Sequence, residues 1–162
     1  MICDSFRLIL VASLLAMTPL VATAQSPPVP MIAAMSSDAQ EAAKTVDAFH
    51  AALAKGDGMA AAVLLADDAL IYESGYVERS KDEYASHHAG ADAAYAAAVP
   101  SKLTSRSGVA DGGLAWIASE SRTTGKYKDK PVDRVTTETM LLRRTADGWR
   151  IVHIHWSSRA AA

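Results

Sequence analysis

Near the C-terminal end of the chain two histidines, His153 and His155, stand two residues apart. On a β-strand such a pair projects to one side of the sheet, where two imidazoles can share hydrogen bonds or begin a metal site. A metal would need a third ligand. The same-parity residues of the preceding segment are Thr137, Thr139, Leu141 and Arg143, none of them an acid. The pair is therefore expected on a convex face or at an interface, no metal site is expected, and a role as pocket catalysts is the competing reading.

Acids set into apolar runs are the second chemical signal. Glu120 and Glu138 interrupt strand-like patterns, and Glu73 closes another. A carboxylate in apolar surroundings loses hydration, its pKa rises, and it becomes a usable general acid or base near neutral pH. Tyr84 and His88, four apart, share one face of a helix and could meet such an acid. The catalytic candidates are thus Glu138, Glu120, Glu73 and His88. Each has a structural alternative, such as pairing of Glu138 or Glu120 with Arg122 or Arg144. Glu78 reads as a solvated strand-end residue beside Arg79 and Lys81.

The elements that must position these groups follow from periodicity and turn chemistry. Asp38 and Glu41 form a capping-box spacing, followed by Val46, Phe49 and Leu53 at helical intervals and by Gly56 as a stop. Asp57 caps a short second helix. Ala69 to Ser74 and Tyr76 to Arg79 read as a strand pair. Ser80 and Glu83 open a third helix that runs to about Ala98, ahead of Pro100. From Ser101 onward the pattern is of long strands: Leu103 to Val109, Leu114 to Thr124, Val132 to Arg144 and a terminal strand after Asp147-Gly148. Helices first and long hairpins second make an α+β single domain, with a curved, mostly antiparallel sheet.

The chain has 162 residues, 16 Lys and Arg against 18 Asp and Glu, and one cysteine. Mixed charge near −2 argues against a nucleic-acid or membrane-surface partner. Met1 to Arg7, the apolar run Leu8 to Val21 and Ala22-Thr23-Ala24 read as a signal peptide over 1–24, cut after Ala24. The expected location is periplasmic or secreted, with no membrane attachment after cleavage. Cys3 would leave with the signal, so no disulfide or thiol chemistry is expected. Residues 25–37, with three prolines, read as a flexible leader to a domain over 38–159.

The order of elements, with Glu138-Thr139, Asp147-Gly148-Trp149 and Val152-His153-x-His155-x-Ser157, resembles the nuclear transport factor 2-like superfamily. Within it the chain is similar to the SnoaL-like and ketosteroid isomerase-related group. The tail is also similar to the association domain of calcium/calmodulin-dependent protein kinase II. The resemblance implies a cone-shaped sheet wrapped around a long helix, with an internal pocket and a convex face that often dimerises. It does not imply one activity, since the superfamily holds isomerases, dehydratases and assembly domains.

Strand alternation suggests that the even-numbered faces of the last three strands line the cone. On that reading Tyr84, Trp116, Met140, Ile154 and Trp156 wall a ligand pocket, and His153 and His155 face outward. The functional expectation is an exported homodimer that binds a small apolar or carbonyl-containing molecule, without a cofactor. An acid–base isomerase or dehydratase, and a non-enzymatic oligomerisation domain, are the alternatives.

Overall fold

The computed structural model describes residues 34–161. The expected signal peptide and most of the expected leader lie outside the described residues. The elements are α1 (Ser37–Ala54), α2 (Gly58–Ala62), β1 (Leu65–Glu73), β2 (Tyr76–Glu78), α3 (Lys81–His87), α4 (Ala89–Ala98), β3 (Ser101–Asp111), β4 (Leu114–Tyr127), β5 (Lys130–Thr145) and β6 (Gly148–Ala160). The six strands form one open sheet in the order β2-β1-β6-β5-β4-β3. Only β1 and β6 run parallel; every other neighbouring pair is antiparallel. The chain is thus an α+β fold with helices against one face of a mixed sheet.

α1 begins two residues earlier than its capping-box spacing suggested. Ser36, not Asp38, is the N-cap, and its Oγ accepts from the amide of Ala39. Asp38 then sits in the first turn, where its charge suits the helix dipole and pairs with Arg144 at 3.1 Å. Gly56 ends the helix with φ +79°, a conformation glycine takes without a Cβ penalty. The apolar stripe Val46, Phe49 and Leu53 is buried against Ile117, Met140, Leu142, Ile151 and Ile154 of the sheet.

The third helix is not continuous to Ala98. It breaks at His88, which ends α3 and precedes α4. His88 still donates its amide to the Tyr84 carbonyl, and its own carbonyl accepts from Asp92. Only α4 is alanine-rich; α3 holds a single alanine, and Gly90, two residues past the joint, is the local weak point of the helical pattern.

Loop length decides which side chains share a face. β1–β2, β3–β4 and β4–β5 are joined by the two-residue loops Ser74-Gly75, Gly112-Gly113 and Lys128-Asp129, each with both φ values positive. Such loops match the strand twist. A two-residue loop pairs position i with i+3, so an odd residue always faces an even one across the ladder. Ile117 therefore pairs with Met140, and Ser119 with Glu138. The inner face is even on β5 but odd on β4. This corrects the even-face assignment for β4: Trp116, 40% exposed, and Glu120 lie on the outer face.

β6 adds a second shift. Leu141 pairs with His153 and Leu142 with Ile151, so Val152 is an extra residue in a β-bulge. Trp149 and Ile151 face inward before it, Ile154 and Trp156 after it. His153 and His155 stand on the outer face, where Tyr72 of β1 packs edge-on to both rings at 5.3 and 6.3 Å. His153 Nδ1 donates to the Leu70 carbonyl at 2.7 Å.

Candidate functional site

At the end of the sheet carrying the β1–β2 hairpin, a cavity of about 280 Å³ opens between the hairpin and α3–α4. Its wall includes Ile71, Glu73, Glu78, Tyr84, Asp92 and Trp156, with His88 at the helix joint. The register explains the first three. Glu73 has the parity of buried Ile71, and the two-residue loop sets Glu78 opposite Ile71, so all three project to the inner side. The parallel register places Trp156 beside Glu73.

Asp92 and Tyr84 form the inner end of the site. The Tyr84 hydroxyl, on a fully buried side chain, donates to Asp92 Oδ2 at 2.9 Å. Burial, together with the Asp92 charge, pushes the Tyr84 hydroxyl far above its ordinary range. Burial also raises Asp92, against the opposing effects of the Tyr84 hydrogen bond and His88. Glu73 lies nearer the mouth. Partial loss of water and the charge of Asp92 hold its carboxyl above the ordinary value, with His88 pulling the other way. Two carboxyls from different elements thus share one small cavity, and each resists ionisation.

Glu78 is 5% exposed, which overturns its reading as a solvated strand end. His88 Nδ1 donates to its Oε1, and the ring of Tyr76 lies 6.2 Å from that of His88. Glu78 Oε2 is buried without a hydrogen-bond partner among the described residues.

Glu138 stands apart from the cavity lining. It lies behind Trp156, whose indole Nε1 donates to Glu138 Oε2 at 2.7 Å, and His50 Nε2 donates to the same oxygen at 2.7 Å. Burial pushes this carboxyl upward, but the His50 and Trp156 hydrogen bonds and the nearby Arg106 outweigh it, and the net shift is downward. The arginines once weighed as its partners are engaged elsewhere, Arg122 with Asp133 and Arg144 with Asp38 and Glu41. Glu138 is a held carboxylate that fixes a wall residue.

Of the expected site residues, the structure brings together Glu73, Tyr84, His88 and Trp156. It leaves out Trp116 and Glu120, which lie on the outer face of the sheet, and Met140 and Ile154, which are fully buried in the core. Sequence reasoning passed over Asp92 and misread Glu78. Glu78 was within reach, because Ser74-Gly75 is a two-residue turn and ties it to the face of Ile71. Asp92 was within reach as well, because it lies four residues past His88 on the helix face that Tyr84 and His88 share.

Residues 42–161 match the family model of the SnoaL-like domain. Among solved structures, a candidate ketosteroid isomerase from Shewanella frigidimarina is 40% identical, with a TM-score of 0.71, over 76% of this chain and all of that one. A candidate dehydratase of the nuclear transport factor 2-like family from Streptomyces avermitilis is 20% identical, TM-score 0.66, over 77% of this chain and 98% of that one. A candidate calcium/calmodulin dependent protein kinase II association domain from Xanthomonas campestris is 22% identical, TM-score 0.65, over 76% and 89%. The last two show a shared fold alone. No curated protein matches the chain.

Proposed function

The chain belongs to the SnoaL-like domain family, and from that premise we propose that it takes a small carbonyl-bearing molecule into the β1–β2 cavity and moves a proton on it. The observation that carries this reading is the pair Glu73 and Asp92, two carboxyls with depressed acidity facing one apolar-walled cavity. Of two carboxyls that both resist ionisation, one can donate a proton to a carbonyl oxygen while the other takes the proton beside it. Asp92, held by Tyr84 at the inner end, suits the first role, and Glu73 near the mouth suits the second. Ile71 and Trp156 offer apolar walls. His88 is a positioning residue, because its Nδ1 proton is committed to Glu78. The cavity is slightly below the usual range of about 300–1,000 Å³ for ligand pockets, which favours a compact ligand.

The test is deuterium exchange beside the carbonyl of small cyclic enones, followed by NMR with purified protein. Catalysed exchange is expected, and Asp92→Asn and Glu73→Gln should each lower it about 10²-fold or more while circular dichroism stays native. Exchange at equal rates in wild type and both variants would refute the assignment. If carbonyl compounds stabilise the protein in thermal shift but never exchange, simple binding replaces catalysis. Export through the N-terminal signal is part of the proposal, and secretion of a reporter fused after residue 24 checks it.

A second reading concerns assembly. Val109, Trp116 and Leu141 follow one another across the outer face and are 53%, 40% and 41% exposed. An apolar row of this kind favours a homodimer through the sheet. Leu141→Asp should halve the mass seen in sedimentation; an unchanged mass would reject this face as the contact.

A further inference from the structure

Where β2 hands over to α3, three donors meet, of which the proton-transfer reading uses only Glu78, as the partner of His88. Glu83 and His87 lie four apart on α3 and so share one helix face, while Glu78 comes from the end of β2. A His Nδ1 or Nε2 and one oxygen from each carboxylate lie within 4.8 Å of one another. Glu78 Oε2 stands 3.5 Å from His87 Nδ1. Two ligands bound tetrahedrally at about 2.1 Å to one ion are about 3.4 Å apart, so the Glu78–His87 pair has the separation of ligands sharing a cation, and Glu83 lies within reach of the same point.

The state of Glu78 makes the cluster more than a group of surface acids. Its side chain is more than nine-tenths buried and one oxygen is satisfied by His88. The other oxygen has no hydrogen-bond partner among the described residues, and it is the one that faces His87. A buried carboxylate oxygen with no hydrogen bond and only an imidazole nitrogen 3.5 Å away is poorly compensated, and a cation placed among these donors would complete it. Glu83 is already oriented, because its Oε2 accepts from the Arg79 amide at 2.6 Å and its Oε1 is not used in that bond. His88 holds the far oxygen of Glu78, as the outer hydrogen bonds of metal ligands commonly do.

We propose that Glu78, Glu83 and His87 bind one divalent cation of the borderline class typified by Zn²⁺. One imidazole and two carboxylates suit such an ion better than Mg²⁺ or Ca²⁺, which prefer all-oxygen shells. The side chain of His87 is largely exposed, so the remaining coordination positions fall to solvent. The site ties the edge strand to α3 and reaches the cavity only through Glu78.

Isothermal titration of chelator-stripped full chain with Zn²⁺, and with Co²⁺ followed by visible absorption, tests this. One ion per chain is expected. His87→Ala and Glu83→Gln should each weaken binding by about tenfold or more and abolish the cobalt spectrum, with circular dichroism confirming the fold. His153→Ala/His155→Ala should leave both readouts unchanged. Absence of saturable binding, or retained affinity in His87→Ala and Glu83→Gln, overturns the proposal. Because the readout is binding, the result stands apart from the outcome of the exchange assay.

Discussion

Replacing Trp156 by Phe separates the two things that residue does. Its ring packs on Phe49, with centroids 6.1 Å apart, and its indole N–H donates to Glu138. Phe keeps an aromatic ring but drops the donor and some volume. Glu138 is 6% exposed and gains its ionised form from His50, Trp156 and Arg106 acting against burial. A hydrogen bond to a charged group contributes about 1.5–3 kcal/mol, and a neutral one about 1 kcal/mol. The loss of volume is common to both backgrounds if Trp156→Phe is made with Glu138 and again with Glu138→Gln. The double-mutant cycle from urea unfolding at pH 7 should therefore give a coupling of about 1 kcal/mol. The pH dependence fixes the sign. The folded carboxyl titrates below its unfolded value of about 4.3, so its contribution is complete above that value and is lost as pH falls through the folded one. The coupling should hold from pH 7 to about 5 and fade below the unfolded value. A coupling near zero at pH 7, or one that grows on acidification, would refute the view that Glu138 is held as a carboxylate.

The remaining expectations concern the cavity and the packing around it. Asp92 and Glu73 have raised values, so their contribution to stability is present below the ordinary carboxyl range and is lost as pH rises through the elevated values. Asp92→Asn should stabilise the chain at pH 7 by about 0.5–2 kcal/mol, the range common where function opposes stability, while lowering exchange activity. Thermal melts at pH 4 and 7 check this, and an equal effect at both would reject it. Gly58→Ala should cost about 1–3 kcal/mol, because a Cβ there would lie 2.4 Å from the Ala89 carbonyl oxygen and 2.7 Å from its carbon, both backbone atoms. Chemical unfolding reads that cost. Ser80→Ala should cost about 1 kcal/mol by removing the acceptor for the Glu83 amide at the start of α3. A thermal melt unchanged from wild type would contradict the cap.

Helices, turns and strand order were legible because each rests on short-range chemistry. Val46, Phe49 and Leu53 announce a buried stripe, and Ser80 caps a helix wherever the rest of the chain goes. Side-chain direction depends on pairing between strands, and there two things hid it. Judging β4 by its own apolarity favoured Trp116 over Ala115 and Ile117, yet the turn at Lys128-Asp129 forces Ile117, not Trp116, onto the face of Met140. That rule was available in the sequence. The bulge at Val152 was not, because Ile151, Val152 and Ile154 are alike in composition and only the partner strand distinguishes them. The site was half legible for the same reason. Glu73, Tyr84, His88 and Trp156 follow from local spacing, and Asp92 continues the Tyr84–His88 spacing by four more residues without having been singled out.

That bulge behaves as a frameshift in the strand's two-sided code. Upstream of Val152 odd positions face the core, and downstream even positions do, so one surplus residue carries Trp156 to the cavity and the histidine pair to the opposite side. Removal of Val152 would erase the bulge and leave those assignments in place, because His153 would then follow Ile151 in ordinary alternation; pairing Val152 with Leu141 in a regular ladder would exchange them. A relative that keeps this residue in a regular, unbulged ladder could retain the His-x-His spelling and present it to its cavity. Relatives in this family are therefore compared by counting outward from the bulge, and a change of chemistry can arise there from a shift of strand pairing as readily as from a substitution.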